Sequence, residues 1–536
     1  MKHPLLGAAR TLRHAMVSRQ PNTSHLFSSG FSALCCALLL LTACGGGESN
    51  VVTGNRDGVL HYGNGTEPQG LDPHVVTGVP ENHIIRALFE GLAVKNPVTL
   101  EPEPGVAERW EFSDEGRIIT FYLNPEAKWS NGEQVTASDY VWSWNRALHP
   151  MTGNEYSYML FPVVNAEAYL KGEVTDFNEV GVKALDDTTL EVTLNAPTPY
   201  FVQLMDHYST FAVHPETLMQ FGEMTDRYTP WTRVGNIVSN GAFTLTEWSL
   251  NRRIIVEKSE HYWDRDKVSL NAVVFYPMEN VVSEERMFRV EQLHYTQVVP
   301  LDKIPLYRDM PDTPYVQAPY LGTYYYLINT KRPPVDDARV RKALAMSVDR
   351  EKLVRTVLQE TAVAAYSITP PDTLGYFPPK LFAYDPEQAR ALLAEAGYPN
   401  GEGWPGLEIL YNTNEGHRKS LWPSSKCGNP NWVSISRSPT RNGRSTSIRS
   451  HRSIFRSRVA DGSGTTWTPT TFSTCSSPTA ATTTPTTATL STMTSFCIGH
   501  PRLRHAKSAT PYSRKQKPCS WKRCRSSPST PTPANT

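Results

Sequence analysis

Two hydrophobic periods alternate along residues 52–419. Thr189-Leu-Glu-Val-Thr-Leu194 sets an apolar residue at every second position, the pattern of a half-buried strand. Gly116-Arg-Ile-Ile-Thr-Phe-Tyr-Leu123 reads as another strand, closed by Asn124-Pro125. After Asp336-Asp337 the spacing changes to three and four, and Val340, Ala343, Leu344, Ser347 and Val348 form one stripe. Asp385-Pro386 predicts the start of a second helix, with Ala389, Leu392, Leu393 and Ala396 inward and Gly397 ending it. Strands and helices interleave throughout, which gives an α/β class. No internal repeat is present.

The N-terminus follows a different rule. Lys2, Arg10, Arg13 and Arg19 precede one apolar run, Phe31 to Cys44. A basic segment, a short apolar segment and small residues make a secretory signal over 1–43, too short to span a bilayer comfortably. Leu41-Thr42-Ala43-Cys44 resembles the bacterial lipobox, which makes Cys44 the lipidated mature N-terminus. Residues 44–56, opening with Gly45-Gly46-Gly47, read as a tether. Translation starts at Met1 or Met16.

Charge divides the 536 residues in two. Up to residue 419 there are 36 Lys and Arg against 51 Asp and Glu; from 420 onward there are 17 against a single acid, Asp461. The tail also holds 44 Ser and Thr and five of the eight cysteines. No cysteine lies between Cys44 and Cys427, so the exported body is stabilised by core burial rather than by disulfides.

Little in the body points to chemistry. It has no phosphate-binding glycine loop, no nucleophile elbow and no histidine pair at metal-ligand spacing. His61, His74, His83, His149, His207, His214, His261 and His294 are scattered. The many acids leave a carboxylate-pair hydrolase open as an alternative. Aromatics are the positive signal: Tyr320 and Tyr324-Tyr325-Tyr326 cluster on one strand, and Tyr156 and Tyr158 share a loop. Tyrosines suit an adaptable ligand cleft, and equally an ordinary core.

Several blocks carry a resemblance. Gly65-Thr-Glu-Pro-Gln-Gly-Leu-Asp-Pro-His74 is followed by Gly78-Val-Pro-Glu81 and Leu88-Phe-Glu-Gly-Leu92. Then come Ala127-Lys-Trp-Ser-Asn-Gly132, Val135-Thr-Ala-Ser-Asp-Tyr-Val141, Thr198-Pro-Tyr-Phe201, Asn240-Gly241 with Glu247-Trp248, His261-Tyr-Trp-Asp264 and Arg339-Val-Arg-Lys-Ala-Leu344. In this order they resemble the oligopeptide-binding proteins, the extracytoplasmic solute-binding subunits of ABC importers. The resemblance implies a two-lobed periplasmic-binding-protein fold over 57–419, a hinged trap with an extra subdomain. It implies a monomer in the periplasm or cell envelope, anchored by lipid only. Its partners would be an oligopeptide and an ABC permease, with no cofactor, metal or nucleic acid and no catalysis. Dipeptide, murein-peptide or metal-chelate ligands belong to the same family. Thr77, Gly78 and Val79 fall where the family lines the peptide backbone, with Thr77 replacing an acid seen in some members. Tyr156 and Tyr325 match ligand-contacting tyrosines, and His417 matches a histidine near the peptide carboxylate.

The resemblance stops after Lys419. Reading each codon's third base with the next two bases, Gly462 to Ser476 permits Trp-Val-Gly-Asp-Tyr, the missing family block. The same shift permits family-like text at Ser420–Gly428 and Pro518–Thr532. Residues 420–536 are therefore expected to be an out-of-frame, disordered tail that leaves the C-terminal part of the fold disrupted. Their basic charge then comes from codons rather than from nucleic-acid binding.

Overall fold

The computed structural model describes residues 48–411 except 319 and 374, and three strands beyond them: Val433–Arg437, Ser495–Ile498 and Pro501–Leu503. Cys44, the signal segment and His417 lie outside the described residues.

Two four-stranded sheets build the first part of the body. In one, Val59–Gly63 runs parallel to Ala272–Tyr276, which pairs antiparallel with Arg253–Lys258, and that in turn with Phe243–Ser249. The chain thus returns 209 residues after Gly63, at Ala272, to pair with its first strand. In the other, Ala107–Ser113, Ile118–Leu123, Thr189–Thr193 and Val182–Asp186 are all antiparallel. The alternating strand at 189 appears as expected, with Leu190 and Val192 inward and fully buried. The strand expected from Gly116 begins two residues later, because Gly116 at φ 87° forms a tight turn with Asp114. One continuous core joins both sheets, with Trp129, Trp144, Trp231, Phe121 and Phe201 buried in it.

A second core gathers Tyr324, Tyr326, Val340, Ala343, Leu344, Leu353, Ala389, Leu393 and Leu407. The two expected helices are Ala338–Met346, capped by the Asp337 carboxylate, and Pro386–Glu395, capped by Asp385. Ser347 and Val348 fall just beyond the first helix, yet both are buried. Leu392 and Ala396 are only half-buried. The strand Thr323–Tyr325 carries Tyr324 and Tyr325, and Tyr326 lies one residue past it. The tail residues that are described form ladders with this part of the chain. Ser495–Ile498 lies between Thr323–Tyr325 and Ala362–Ala365, antiparallel to both. Pro501–Leu503 pairs with Tyr315–Gln317, and Val433–Arg437 pairs with Leu407–Tyr411.

Candidate functional site

The segment from Asp72 to Val79 leads into the helix Val79–Leu88, and side chains remote in sequence pin it. Arg146, 0% exposed, grips Asp72 through both guanidinium ends (2.9 and 2.6 Å) and also donates to Met224 O (2.7 Å). Its third contact is His74 Nδ1 at 3.0 Å. Arginine only donates, so Nδ1 accepts, and Nε2–H donates to Phe211 O at 3.0 Å. Burial, reinforced by Arg146, holds the His74 imidazole neutral, with its pKa down at about 4. Burial pushes the Asp72 carboxyl up, but Arg146 more than offsets this and keeps it below its ordinary value.

Three carbonyls in a row are then engaged. Tyr208 Oη donates to Val76 O (3.1 Å), Tyr156 Oη donates to Thr77 O (3.3 Å), and Asn82 N–H donates to Gly78 O (3.1 Å). In a trans peptide the N–H points opposite to the C=O of the same plane. The amides of Thr77, Gly78 and Val79 therefore face away from these holders, and they donate to no other group among the described residues. Val79, 8% exposed, is the first residue of its helix, where an amide has no intrahelical acceptor. Gly78, the N-cap, is extended (φ −94°, ψ 156°), and a Cβ there would come within 1.8 Å of Glu81 Oε2. Glu81 is itself fixed by the Gln69 N–H at 2.6 Å, and its burial raises its pKa.

Tyr156 packs edge-on to His207, Tyr208 and Tyr158 at ring separations of 4.8, 5.9 and 6.1 Å. The structure thus brings together four of the sequence-derived residues, Thr77, Gly78, Val79 and Tyr156. Tyr325, 7% exposed, stands on its strand between Tyr324 and Tyr326, the two that pack in the second core. Tyr208 and Glu81 escaped the sequence reading; Glu81 stands inside a quoted block, whereas Tyr208 carries no local signal. Among the described residues no group of three His, Cys, Asp or Glu side chains could hold a metal ion, and no helix is long and apolar enough to cross a membrane.

Solved structures with the same fold define the class. A periplasmic oligopeptide-binding protein from Borrelia burgdorferi superposes with a TM-score of 0.67 at 31% identity, covering 71% of this chain and 76% of its own. Haemophilus influenzae OppA in complex with the peptide RPPGFSPFR gives 0.65 at 31% identity, covering 72% and 76%. The class is the two-lobed α/β solute-binding fold. The periplasmic oligopeptide-binding protein OppA of Escherichia coli is 41% identical over 375 residues, 67% of each chain. Residues 101–422 match the model of the bacterial extracellular solute-binding proteins, family 5. The chain belongs to that family.

Proposed function

We propose that this chain is an extracytoplasmic peptide-binding protein that hands oligopeptides to an ABC importer, binding its ligand without turning it over. The amides of Thr77, Gly78 and Val79, whose peptide-plane carbonyls are all engaged, carry this reading. A peptide offers main-chain carbonyls as acceptors for such amides, so it is held through its backbone, largely regardless of its side chains. Tyr156 stands beside these amides, Tyr325 is assigned a ligand contact, and His417 is assigned to the peptide carboxylate. The family's relatives are named as binding proteins, which supports binding over catalysis. Export under the signal of 1–43, lipidation at Cys44 and a monomeric state in the cell envelope complete the proposal.

The match to the family model ends at residue 422, next to the break read after Lys419. We read residues 420–536 as the product of a shifted frame. In the family frame an acid for the peptide α-amino group would stand opposite Thr465, and an arginine near the carboxylate opposite Val459. A buried charged terminus without its partner costs several kcal/mol, about three decades of affinity.

Calorimetric titration with mixed tri- to pentapeptides tests both parts, using the chain as it stands and a version with the frame restored at codons 417–420. The restored chain is expected to bind in the micromolar range and the chain as it stands far more weakly. A restored chain that binds no peptide would overturn the function. Micromolar binding by the unrestored chain would overturn the impairment.

A further inference from the structure

Resting on the peptide-binding reading, we propose that Tyr208, with Tyr156, is a positioning residue: it aims the amide row at the ligand by fixing the peptide planes from behind. A free loop of this kind has two ways to face. Flipping the Val76–Thr77 plane would turn the Thr77 N–H inward and the Val76 carbonyl outward. Flipping the next plane would do the same for Gly78. An outward carbonyl repels a ligand carbonyl, so each flip converts a donor subsite into a repulsive one. Tyr208 Oη at 3.1 Å from Val76 O opposes the first flip, and Tyr156 Oη at 3.3 Å from Thr77 O opposes the second. The Asn82 amide fixes the third plane through Gly78 O at 3.1 Å.

The holders are themselves rigid. Tyr208 is 4% exposed and stacks on His207 at 4.6 Å with an interplanar angle of 24°. His207 is 5% exposed, and its Nδ1 lies 2.8 Å from Ser209 Oγ. Burial keeps the Tyr208 hydroxyl protonated far above the ordinary phenol range, so it remains a donor at every pH at which the protein is folded. With the Val76, Thr77 and Gly78 carbonyls engaged, these peptide planes offer donors rather than acceptors. Their complement is a ligand that presents acceptors, which the main-chain carbonyls of a peptide supply.

The test uses the full chain labelled with 15N-glycine, in which the Gly78 amide is identified by its loss in Gly78→Ala. Tyr208→Phe and Tyr156→Phe remove one hydroxyl each, and Tyr122→Phe, whose hydroxyl donates to exposed Glu111, serves as control. In the two site variants the Gly78 resonance is expected to split or broaden, while the control leaves it sharp. Where peptide shifts the Gly78 signal, Tyr208→Phe should weaken the apparent affinity about five- to tenfold, equally for peptides differing in side chains. A Gly78 signal unchanged in Tyr208→Phe, or a loss confined to particular peptide side chains, would overturn the proposal. If the signal responds to the tyrosine variants but never to peptide, in this chain or in the chain with its frame restored, the positioning role stands and the peptide-binding reading falls.

Discussion

Glu284 offers a sharp test of how this body responds to pH. It sits on the helix Val281–Arg289 at 1% exposure, and its Oε1 accepts the Gln297 N–H at 2.8 Å. Its neighbour Glu285 is paired with Lys303, Arg289 and Tyr307, whereas the Glu284 carboxyl lies against Gly63. Burial pushes the Glu284 carboxyl from its ordinary 4.5 up to about 8, only partly countered by the Gln297 amide. The folded value is raised, so between those limits the folded protein holds a proton that the unfolded chain has released. The resulting stability is complete below pH 4.5 and is lost as pH rises through about 8. The loss runs at about 1.4 kcal/mol per pH unit, or roughly 2 kcal/mol from pH 6.5 to 8. Glu90, pushed up to about 7 by burial, adds to the loss in the lower part of that window. His74 and His207 have depressed values, about 4 and about 3, so their contributions are lost below pH 6.5 and leave this window largely free. Glu284→Gln keeps an acceptor for the Gln297 amide and removes the titration. Urea unfolding followed by tryptophan fluorescence at half-unit steps should show native stability falling from pH 6.5 to 8, with about 2 kcal/mol of that fall absent in the variant. Parallel pH dependences for the two proteins would refute the reasoning.

Arg146→Met strands Asp72 in the core and is expected to cost about 3–5 kcal/mol, read as a large drop in the urea midpoint; a loss under 1 kcal/mol would contradict the network's role. Thr136 and Asp139 form a reciprocal cap on the helix Ala137–Leu148, so Thr136→Ala should lower stability by about 1 kcal/mol, and an unchanged melting temperature would count against the cap. Tyr376, Phe377, Leu381 and Tyr384 are 54, 69, 62 and 45% exposed, so brief chymotrypsin treatment should cut first within 376–384, with first cleavage in the Trp129–Trp144 region as the contrary result.

The elements with a local cause were legible in the sequence. Period-two alternation found Thr189–Thr193, and an aspartate before a spaced apolar stripe found both helices of the second core. The family blocks were legible as a resemblance, but not for what their residues do. Asn240 brackets Glu90 by accepting its N–H and donating to its carbonyl, both at 3.1 Å. Tyr262 and Trp263 donate to the Glu90 carboxylate at 2.5 and 2.7 Å. Gly241 allows the Leu88–Phe89 backbone to approach, since a Cβ would meet it at 2.5 Å. Blocks 150 and 172 residues further along the chain thus converge on Glu90 and the backbone before it, and no periodicity records such a meeting. The amide row was legible only through resemblance, because it is made by unpaired backbone rather than by side chains. Tyr208 was invisible for the converse reason: its hydroxyl acts on a carbonyl 132 residues away.

The amide row also sets what the chain can do by itself. Every holder of that row lies between Gln69 and Tyr208, well before Lys419, so this half of the proposed site is complete. Three amide–carbonyl hydrogen bonds contribute a net of about 3 kcal/mol. Immobilising a peptide costs at least about 4 kcal/mol in lost translation and rotation, before any ordering of its side chains. In the proposed site the amides alone would therefore orient the ligand without holding it. Net affinity has to come from apolar burial under the second lobe and from charge-assisted contacts at the two peptide termini. Those terminal partners are the residues that the proposed shift of frame would remove. Restoring them should raise affinity by decades while leaving the Gly78 amide where it already is, because the tyrosines proposed to aim it lie well before Lys419.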